Sequence, residues 1–266
     1  HHPYVVRVSD FFVDDILPYM VMDYIPGRSL YELVLPKEGP ARPLSEAQAV
    51  GYVQQIGKAL QAVHSKGLLH RDVKPQNIMI HELTGEAILI DFGIARELTQ
   101  NPTQTHTSIV SAGYAPIEQY LPKAQRSAAT DIYGLAATMY TLLTGQVPVA
   151  AVLRDRTPLP SLKQLRPDVS DAVVRAIEYG LEVELRDRPQ SVGRWLTMLT
   201  SQQGSGGPSG ASSRGERPRG NVPTPSEMPT RVVAPKYLAG RTVAGAGAAR
   251  GFVEETDGIT VRLQRG

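Results

Sequence analysis

The residues of this chain that could do chemistry lie in two short motifs. Residues 70–77 read H-R-D-V-K-P-Q-N and residues 91–93 read D-F-G, so that Asp72 and Asp91 are 19 positions apart. Phosphoryl transfer needs an aspartate that orients the attacking hydroxyl and oxygen ligands that hold magnesium against the phosphates. Because both motifs occur together, they predict a phosphoryl-transfer site rather than a surface loop with coincidental acids.

Composition limits the other possibilities. The 266 residues allow one large domain or two small ones, and the 41% hydrophobic content is enough for a buried core. The absence of cysteine excludes disulfides and thiolate metal sites and is compatible with a reducing compartment. No apolar run reaches the roughly 18 residues that a membrane-spanning helix needs, so we expect no membrane span.

Charge is distributed unevenly along the chain. The net charge is +2, while residues 201–266 carry nine Lys/Arg and five Asp/Glu. A mildly basic tail of this kind is usually a solvated linker, and less often a nucleic-acid or lipid contact. We therefore expect no nucleic-acid partner.

The elements that must position the two motifs can be read from periodicity. Val5–Phe12 and Tyr19–Tyr24 alternate as the strands of a hairpin. The short apolar runs Ile78–Ile80 and Ala87–Ile90, separated by a Thr-Gly pair, predict a second hairpin. That hairpin would present Asn77 and Asp91 close together.

Helices are predicted before and after the motifs. The segment Ala47–Ser65 has apolar residues at helical spacing, and Ser45 with Gln48 forms a capping box at its start. Ala129–Thr144 is apolar almost all round and predicts a buried central helix. Later helices are expected to run to Tyr179 after Asp168 or Ser170, and over Val192–Leu199 after Ser191. Residues 202–230 are poor in apolar side chains and predict disorder, and Ile259–Leu263 alternates like a strand.

The two motifs together resemble the protein-kinase signature. Residues 1–200 resemble a eukaryotic-type (Hanks-type) bacterial serine/threonine protein kinase. Residues 113–120, G-Y-A-P-I-E-Q-Y, are similar to the end of the activation segment of kinases common in cyanobacteria. The resemblance implies an α+β, protein-kinase-like fold. Residues 1–26 would be the last strands and hinge of the small lobe, 27–200 a mostly helical large lobe, 201–231 a disordered linker and 232–266 a tail of unknown structure.

This resemblance assigns roles to the residues of the two motifs. Asp72 would be the catalytic base, and Lys74 would neutralise the moving phosphoryl group, which is typical of Ser/Thr specificity. Asn77 and Asp91 would hold Mg²⁺ against ATP. His70 is expected to be a buried packing and hydrogen-bonding residue.

The activation segment receives roles by the same resemblance. Arg71 would pair with a phosphorylated residue of that segment, because a guanidinium binds phosphate bidentately. Ser111 would bridge the base and the lysine through its hydroxyl, although residues 110–113 read V-S-A-G where the family usually has G-T-P-G. The phosphorylation candidates are Thr103, Thr105, Thr107 and Ser108, with no single site preferred.

The resemblance also assigns residues to the adenine end of the nucleotide site and to the structural support of the fold. Met22 would be the gatekeeper, the backbone of Asp23 and Ile25 would bind adenine, and Met79 would pack beneath the ring. Glu118 and Arg188 would form a buried ion pair, and Asp131 would open the central helix and accept hydrogen bonds from the catalytic loop. These last three, Glu118, Arg188 and Asp131, are expected to be structural.

The expected activity is transfer of the ATP γ-phosphate to Ser/Thr of proteins, including the chain's own activation segment, in the cytoplasm. We expect the sequence to begin at the fourth strand of the small lobe, without a glycine-rich loop or a V-A-I-K lysine, so that strand edges are exposed. The alternative is a catalytically weak or silent kinase fragment that acts as a binding or regulatory module. A small-molecule phosphotransferase is disfavoured, because it would not be expected to carry Glu118 with Arg188.

Overall fold

The computed structural model describes residues 2–14, 17–91, 112–121, 123–200 and 259–262. The chain divides into two compact units, residues 1–203 with 253–266, and residues 204–252. The second unit and the whole of the predicted linker, residues 201–231, lie outside the described residues. Apart from Ile259–Arg262, the strands of the described residues all lie before residue 90, where they alternate with helices, and residues 123–200 contain helices but no strand, which agrees with the expected α+β class.

A three-stranded antiparallel sheet opens the fold. Strand β1 (Val8–Asp14) pairs with β2 (Leu17–Asp23), as the predicted hairpin requires, and a register shift lies between Val8 and Asp10. The other edge of β2 pairs with β6 (Ile259–Arg262), where Val21 lies opposite Val261. The alternation at the end of the sequence thus predicted a strand but not its partner. Because β6 covers this edge, the expectation of exposed strand edges is wrong for β2.

The second sheet carries the two motifs. It contains β3 (Gly27–Ser29), β4 (Ile78–His81) and β5 (Ala87–Leu89) in that order, all antiparallel. Strands β4 and β5 are the predicted second hairpin, with Ile78 opposite Leu89. Helix α1 (Leu30–Val34) follows β3 directly and starts with a capping box between Ser29 and Glu32. Neither β3 nor α1 was predicted, because each is shorter than two full periods of its pattern.

Helices form the main core. Helix α2 (Glu46–His64) has the predicted capping box, in which the Ser45 side chain accepts from Gln48 N and the Gln48 side chain accepts from Ser45 N. Helix α3 (Ala128–Thr144) is buried at every position from 129 to 143. It begins after Ser127, so Asp131 lies in its first turn and does not open it. Gly145 ends it with φ +69°, in the left-handed region that glycine tolerates best.

Three smaller helices pack around α3 and α2. They are α4 (Leu162–Leu165), α5 (Asp171–Gly180) and α6 (Val192–Met198). Ser170 caps α5 and Ser191 caps α6, as two of the sequence patterns indicated. The single tryptophan, Trp195, is fully buried and donates to Ala176 O at 2.7 Å. The helices thereby form one continuous core beneath the catalytic loop.

Candidate active site

The catalytic loop, which we define as residues 68–77, is anchored to helix α3 through Asp131. The Asp131 carboxylate accepts from His70 N at 2.9 Å and from Arg71 N at 2.7 Å, and it lies 2.7 Å from His64 Nε2. Asp131 is 1% exposed, so these bonds are shielded from water. Asp131 therefore fixes the loop immediately before Asp72.

His70 holds the loop from inside. It is fully buried, its Nε2 donates to Ile90 O at 3.1 Å, and its Nδ1 accepts from Asp72 N at 3.3 Å. Burial lowers the pKa of His70 below its ordinary value, since the charged form would lose its hydration. A neutral ring with hydrogen on Nε2 satisfies both bonds. This geometry is the buried, hydrogen-bonded placement that was expected for His70.

Asp72 lies at the centre of the loop with two neighbours on one carboxylate oxygen. Lys74 Nζ is 2.8 Å from Asp72 Oδ2, and Asn77 Nδ2 donates to the same oxygen at 3.0 Å. Asn77 Nδ2 also donates to the Asp72 main-chain carbonyl at 2.9 Å. The sequence-predicted base, lysine and amide are thus brought together within hydrogen-bonding distance.

The β4–β5 hairpin brings Asn77 next to the second motif. A short 3-10 turn over Pro75–Asn77 leads into β4, and Ile90 N donates to Asn77 O at 2.9 Å. Asp91 follows Ile90 with φ +56°, a conformation that costs energy for a non-glycine residue. The hairpin therefore places Asn77 and Asp91 at one end of the sheet, as its sequence predicted.

The donor set at this end of the sheet fits magnesium. Asn77 uses its amide nitrogen on Asp72, so its amide oxygen is the atom that could bind a metal, and Asp91 has a half-buried carboxylate. Among the residues that the structure describes, no cluster of three or more His, Cys, Asp or Glu could hold a metal ion. A metal bound here would take its remaining ligands from phosphates and water, which is how magnesium usually binds.

An apolar cluster lies at the predicted adenine end. Val6, Met22, Ile88 and Ile90 are buried together, and Met20, Ile25 and Met79 pack against them. Asp23 N donates to Arg7 O at 3.0 Å. The structure thus brings Met22, Ile25 and Met79 together, although they come from positions up to 57 residues apart in sequence.

A buried ion pair fixes the turn over Ile117–Gln119. Arg188 Nη1 and Nη2 donate to the two carboxylate oxygens of Glu118 at 2.8 and 2.9 Å, and Thr130 Oγ1 donates to Glu118 at 3.0 Å. Arg188 is 1% and Glu118 4% exposed. The Arg188 guanidinium also lies 4.9 Å from the ring centre of Tyr133. The predicted structural pairing of Glu118 with Arg188 is present.

Some predicted residues cannot be compared with the structure. Ser111, Phe92 and Gly93 lie outside the described residues. So do the phosphorylation candidates Thr103, Thr105, Thr107 and Ser108.

Two contacts were not predicted from the sequence. His64 reaches Asp131 from the end of α2, and Gln119 Nε2 donates to Arg71 O at 2.6 Å. Neither has a local sequence signal, because each joins residues far apart in the chain.

Comparisons with known proteins show the family of this chain. The model of the protein kinase domain matches residues 1–188, and the chain therefore belongs to the protein kinase family. The probable serine/threonine-protein kinase PknB of Lactococcus lactis is 31% identical over 207 residues, which are 74% of this chain and 32% of that protein. Serine/threonine-protein kinase PkaA of Streptomyces coelicolor is 36% identical over 200 residues, or 71% of this chain and 35% of that protein.

A solved structure supports the fold. The kinase domain of PknI from Mycobacterium tuberculosis matches with a TM-score of 0.59 and 26% identity, covering 75% of this chain and 72% of that one. The predicted membership of the bacterial Hanks-type kinases and the predicted α+β kinase fold are confirmed. The chain spans about a third of the length of the curated relatives named above. Among the described residues, no helix is both long and apolar enough to cross a membrane.

Proposed function

We propose that this chain carries the transfer site of a protein serine/threonine kinase, which moves the γ-phosphoryl group of ATP to a Ser or Thr hydroxyl of a protein. The observation that carries the proposal is the grouping of Lys74 and Asn77 on one carboxylate oxygen of Asp72. Relatives named as serine/threonine-protein kinases support the same reaction.

Asp72 is the proposed catalytic base. Its carboxylate is 9% exposed, so it is nearly desolvated yet can be reached from the site. Contacts with Lys74 and Asn77 fix its orientation, and a carboxylate held in this way can accept the proton of the attacking hydroxyl. Lys74 carries a compact positive charge beside the base, where it would offset negative charge on the transferred group.

Asn77 and Asp91 are the proposed magnesium ligands. Magnesium, when bound, would draw negative charge from the phosphate oxygens and so favour transfer. The described residues contribute the positioning, since the His70 bond to Ile90 O and the Asn77 bond to Ile90 N tie the two ligands to one hairpin. Small shifts of that hairpin would therefore move both ligands together.

The apolar cluster of Met22, Ile25 and Met79 is the proposed adenine site. These side chains pack into one apolar cluster of the kind that lines ligand sites. We assign the main chain of Asp23 and Ile25 to hydrogen-bond adenine beside it; Asp23 N already donates to Arg7 O, so the Asp23 carbonyl is the group proposed there. Because the proposed donor is ATP, we place the reaction in the cytoplasm, where that nucleotide is made available to protein substrates.

The proposed protein substrates include the chain itself. The candidates for autophosphorylation remain Thr103, Thr105, Thr107 and Ser108. Arg71 is the proposed partner of the phosphate, and Ser111 the proposed bridge between Asp72 and Lys74. These assignments rest on the sequence pattern and on the position of Arg71 directly before the base.

The proposal is tested by incubating the chain with Mg·ATP and mapping phosphate on Ser and Thr by mass spectrometry. We expect phosphorylation in the wild type, and a loss of at least about 100-fold in Asp72→Asn, because a positioned base typically contributes 10²–10⁴-fold. The matched control Asp155→Asn alters a carboxylate whose side chain is 72% exposed and should change nothing. Undiminished phosphorylation in Asp72→Asn would reject the proposal. A wild type that neither transfers phosphate nor binds Mg·ATP tightly would instead support the alternative of a silent binding module.

A further inference from the structure

The residue before the proposed base has an unusual backbone. Arg71 has φ +66°, in the left-handed region that costs energy for residues with a side chain. Such a conformation persists only where the surrounding structure enforces it. The peptide groups on both sides of Arg71 therefore need firm partners if Asp72 is to keep one orientation.

Two side chains hold the main chain of Arg71, one through its N–H and the other through its carbonyl. Its N–H donates to Asp131 Oδ1 at 2.7 Å, from helix α3, and its carbonyl accepts from Gln119 Nε2 at 2.6 Å, from the turn over Ile117–Gln119. The carbonyl of Arg71 belongs to the same peptide group as the N–H of Asp72. Gln119 thus acts directly on the peptide that leads into the base.

The main chain of Gln119 is itself fixed. Its neighbour Glu118 is tied to Arg188 by two bonds of 2.8 and 2.9 Å and accepts from Thr130 Oγ1 at 3.0 Å. The amide donor of Gln119 therefore projects from a firmly anchored turn. Through the Gln119 side chain, the turn over Ile117–Gln119 contacts the catalytic loop at Arg71.

We propose that Gln119 is a positioning residue for phosphoryl transfer, which orients Asp72 by holding the Arg71 carbonyl. The proposal rests on the proposed function of Asp72. Loss of the amide donor would let the Arg71–Asp72 peptide rotate and move the carboxylate away from the attacking hydroxyl. Misplacements of about 1 Å can cost on the order of 100-fold in rate.

The first test is Gln119→Glu, which keeps the shape of the side chain and replaces the amide donor by an oxygen that faces the carbonyl. We expect kcat to fall by about 10- to 100-fold, with KM for ATP changed less than about threefold. Gln190→Glu is the matched control, since Gln190 Nε2 also donates to main-chain carbonyls, those of Leu185 and Arg188, away from the base. An equal fall of kcat in both variants would overturn the proposal.

The second test asks whether Gln119 acts through Asp72. In the Asp72→Asn background, Gln119→Glu should cause little further loss of rate, because residues that act as a unit are strongly non-additive. A merely structural role would reduce the remaining rate by the same factor as in the wild type. That full additivity would contradict the positioning role.

A readout that needs no activity separates this proposal from the proposed function. Amide hydrogen exchange of residues 70–77 should be about tenfold faster in Gln119→Glu than in the wild type, and unchanged in Gln190→Glu. If the wild type transfers no phosphate, the proposed function fails and exchange alone decides the role of Gln119. Unchanged exchange in Gln119→Glu would then reject it, and faster exchange confined to this variant would support it.

Discussion

Asp131 and His70 show how single buried side chains organise the catalytic loop. The Asp131 carboxylate accepts hydrogen bonds from His70 N and Arg71 N. The His70 ring donates to Ile90 O and accepts from Asp72 N. Each of these groups is shielded from water, so leaving one unpaired would cost about 1–3 kcal/mol. The loop is therefore held by polar groups whose loss would be felt both in stability and in the orientation of Asp72.

The buried imidazole of His70 predicts a pH dependence of stability. Burial lowers its pKa in the folded chain below the ordinary 6.5. As pH falls below about 6.5, the unfolded chain takes up a proton that the folded chain does not, so the free energy of unfolding should fall by up to about 1.4 kcal/mol per pH unit. This fall ends when the pH reaches the lower, folded pKa.

Denaturant titrations over the weakly acidic range check this dependence. His70→Gln should remove that part of the slope, whereas His81→Gln, which changes a half-buried histidine at the end of β4, should retain it. A slope that persists in His70→Gln would show that another group is responsible.

Because the ion pair of Glu118 with Arg188 is buried, we predict that breaking it costs more stability than breaking an exposed ion pair. Glu118→Ala leaves the nearly fully buried guanidinium of Arg188 without its carboxylate, and should lower the free energy of unfolding by about 3–5 kcal/mol. Arg7→Ala removes a pair in which the Arg7 side chain is 59% exposed, and should cost at most about 1 kcal/mol. Urea denaturation measures both, and equal costs would contradict the account.

At the scale of elements, helix α3 supports the catalytic loop by close contact. A Cβ at Gly134 would lie 2.7 Å from Val73 O, between Asp72 and Lys74 in sequence. No other residue would let the helix approach the loop so closely without displacing it. Since α3 is buried at every position from 129 to 143, it offers the loop a rigid support.

This contact predicts opposite effects for two substitutions of helical glycines. Gly134→Ala should lower the free energy of unfolding by about 1–3 kcal/mol and slow phosphoryl transfer, because the loop must shift. Gly51→Ala lies in α2, where an added Cβ meets nothing within 4 Å, and should be neutral or stabilising by up to about 1 kcal/mol. Thermal denaturation measures the stability of both variants. A Gly134→Ala variant as stable as Gly51→Ala would contradict the close contact between α3 and the loop.

Elements with a clear period or cap could be predicted from the sequence. The capping box of Ser45 and the apolar period of α2 are local signals, and the β4–β5 hairpin follows from its two short apolar runs. The apolar range Ala129–Thr144 placed the start of α3 within one residue, whereas the expectation that Asp131 opens the helix was wrong. The helix begins after Ser127, whose side chain accepts from Ala129 N while Thr130 Oγ1 accepts from Ser127 N. Strand β3 and helix α1 are too short for periodicity; the position of β3 depends on its pairing with β4, and α1 follows β3 directly.

The candidate site divides in the same way. Asp72, Lys74, Asn77 and Asp91 could be found because their spacing along the chain is fixed by one loop and one hairpin. Gln119 and His64 could not, because Gln119 contacts Arg71 of the loop and His64 contacts Asp131 of α3, partners that are 48 and 67 positions away in sequence. Such contacts depend on the packing of helices and turns, which no local pattern contains.

At the scale of the whole molecule, the end of the sequence contacts its beginning. Strand β6 pairs with β2 over Met20–Asp23, the strand that carries Met22 and Asp23 of the proposed nucleotide site. An unpaired strand edge is a site for non-native association, and β6 covers this one. The tail strand thus contributes to the sheet next to the proposed adenine site.

This pairing predicts a local effect of a substitution in β6. Val261→Pro removes a main-chain N–H and disfavours the strand, so amide exchange over residues 20–23 should be about fivefold faster, as expected for the loss of roughly 1 kcal/mol. Val261→Thr keeps a good strand former and should leave the exchange unchanged. Equal exchange in both variants would show that β6 does not protect β2.

The rate of γ-phosphoryl transfer in Asp72→Asn, relative to the wild type, tests the central claim most directly. The measurement is made at saturating Mg·ATP, and the affinity of both proteins for the nucleotide is determined separately. We predict a rate at least about 100-fold lower in the variant, with the nucleotide affinity changed less than about threefold. A variant that transfers phosphate as fast as the wild type would contradict the assignment of Asp72 as the base.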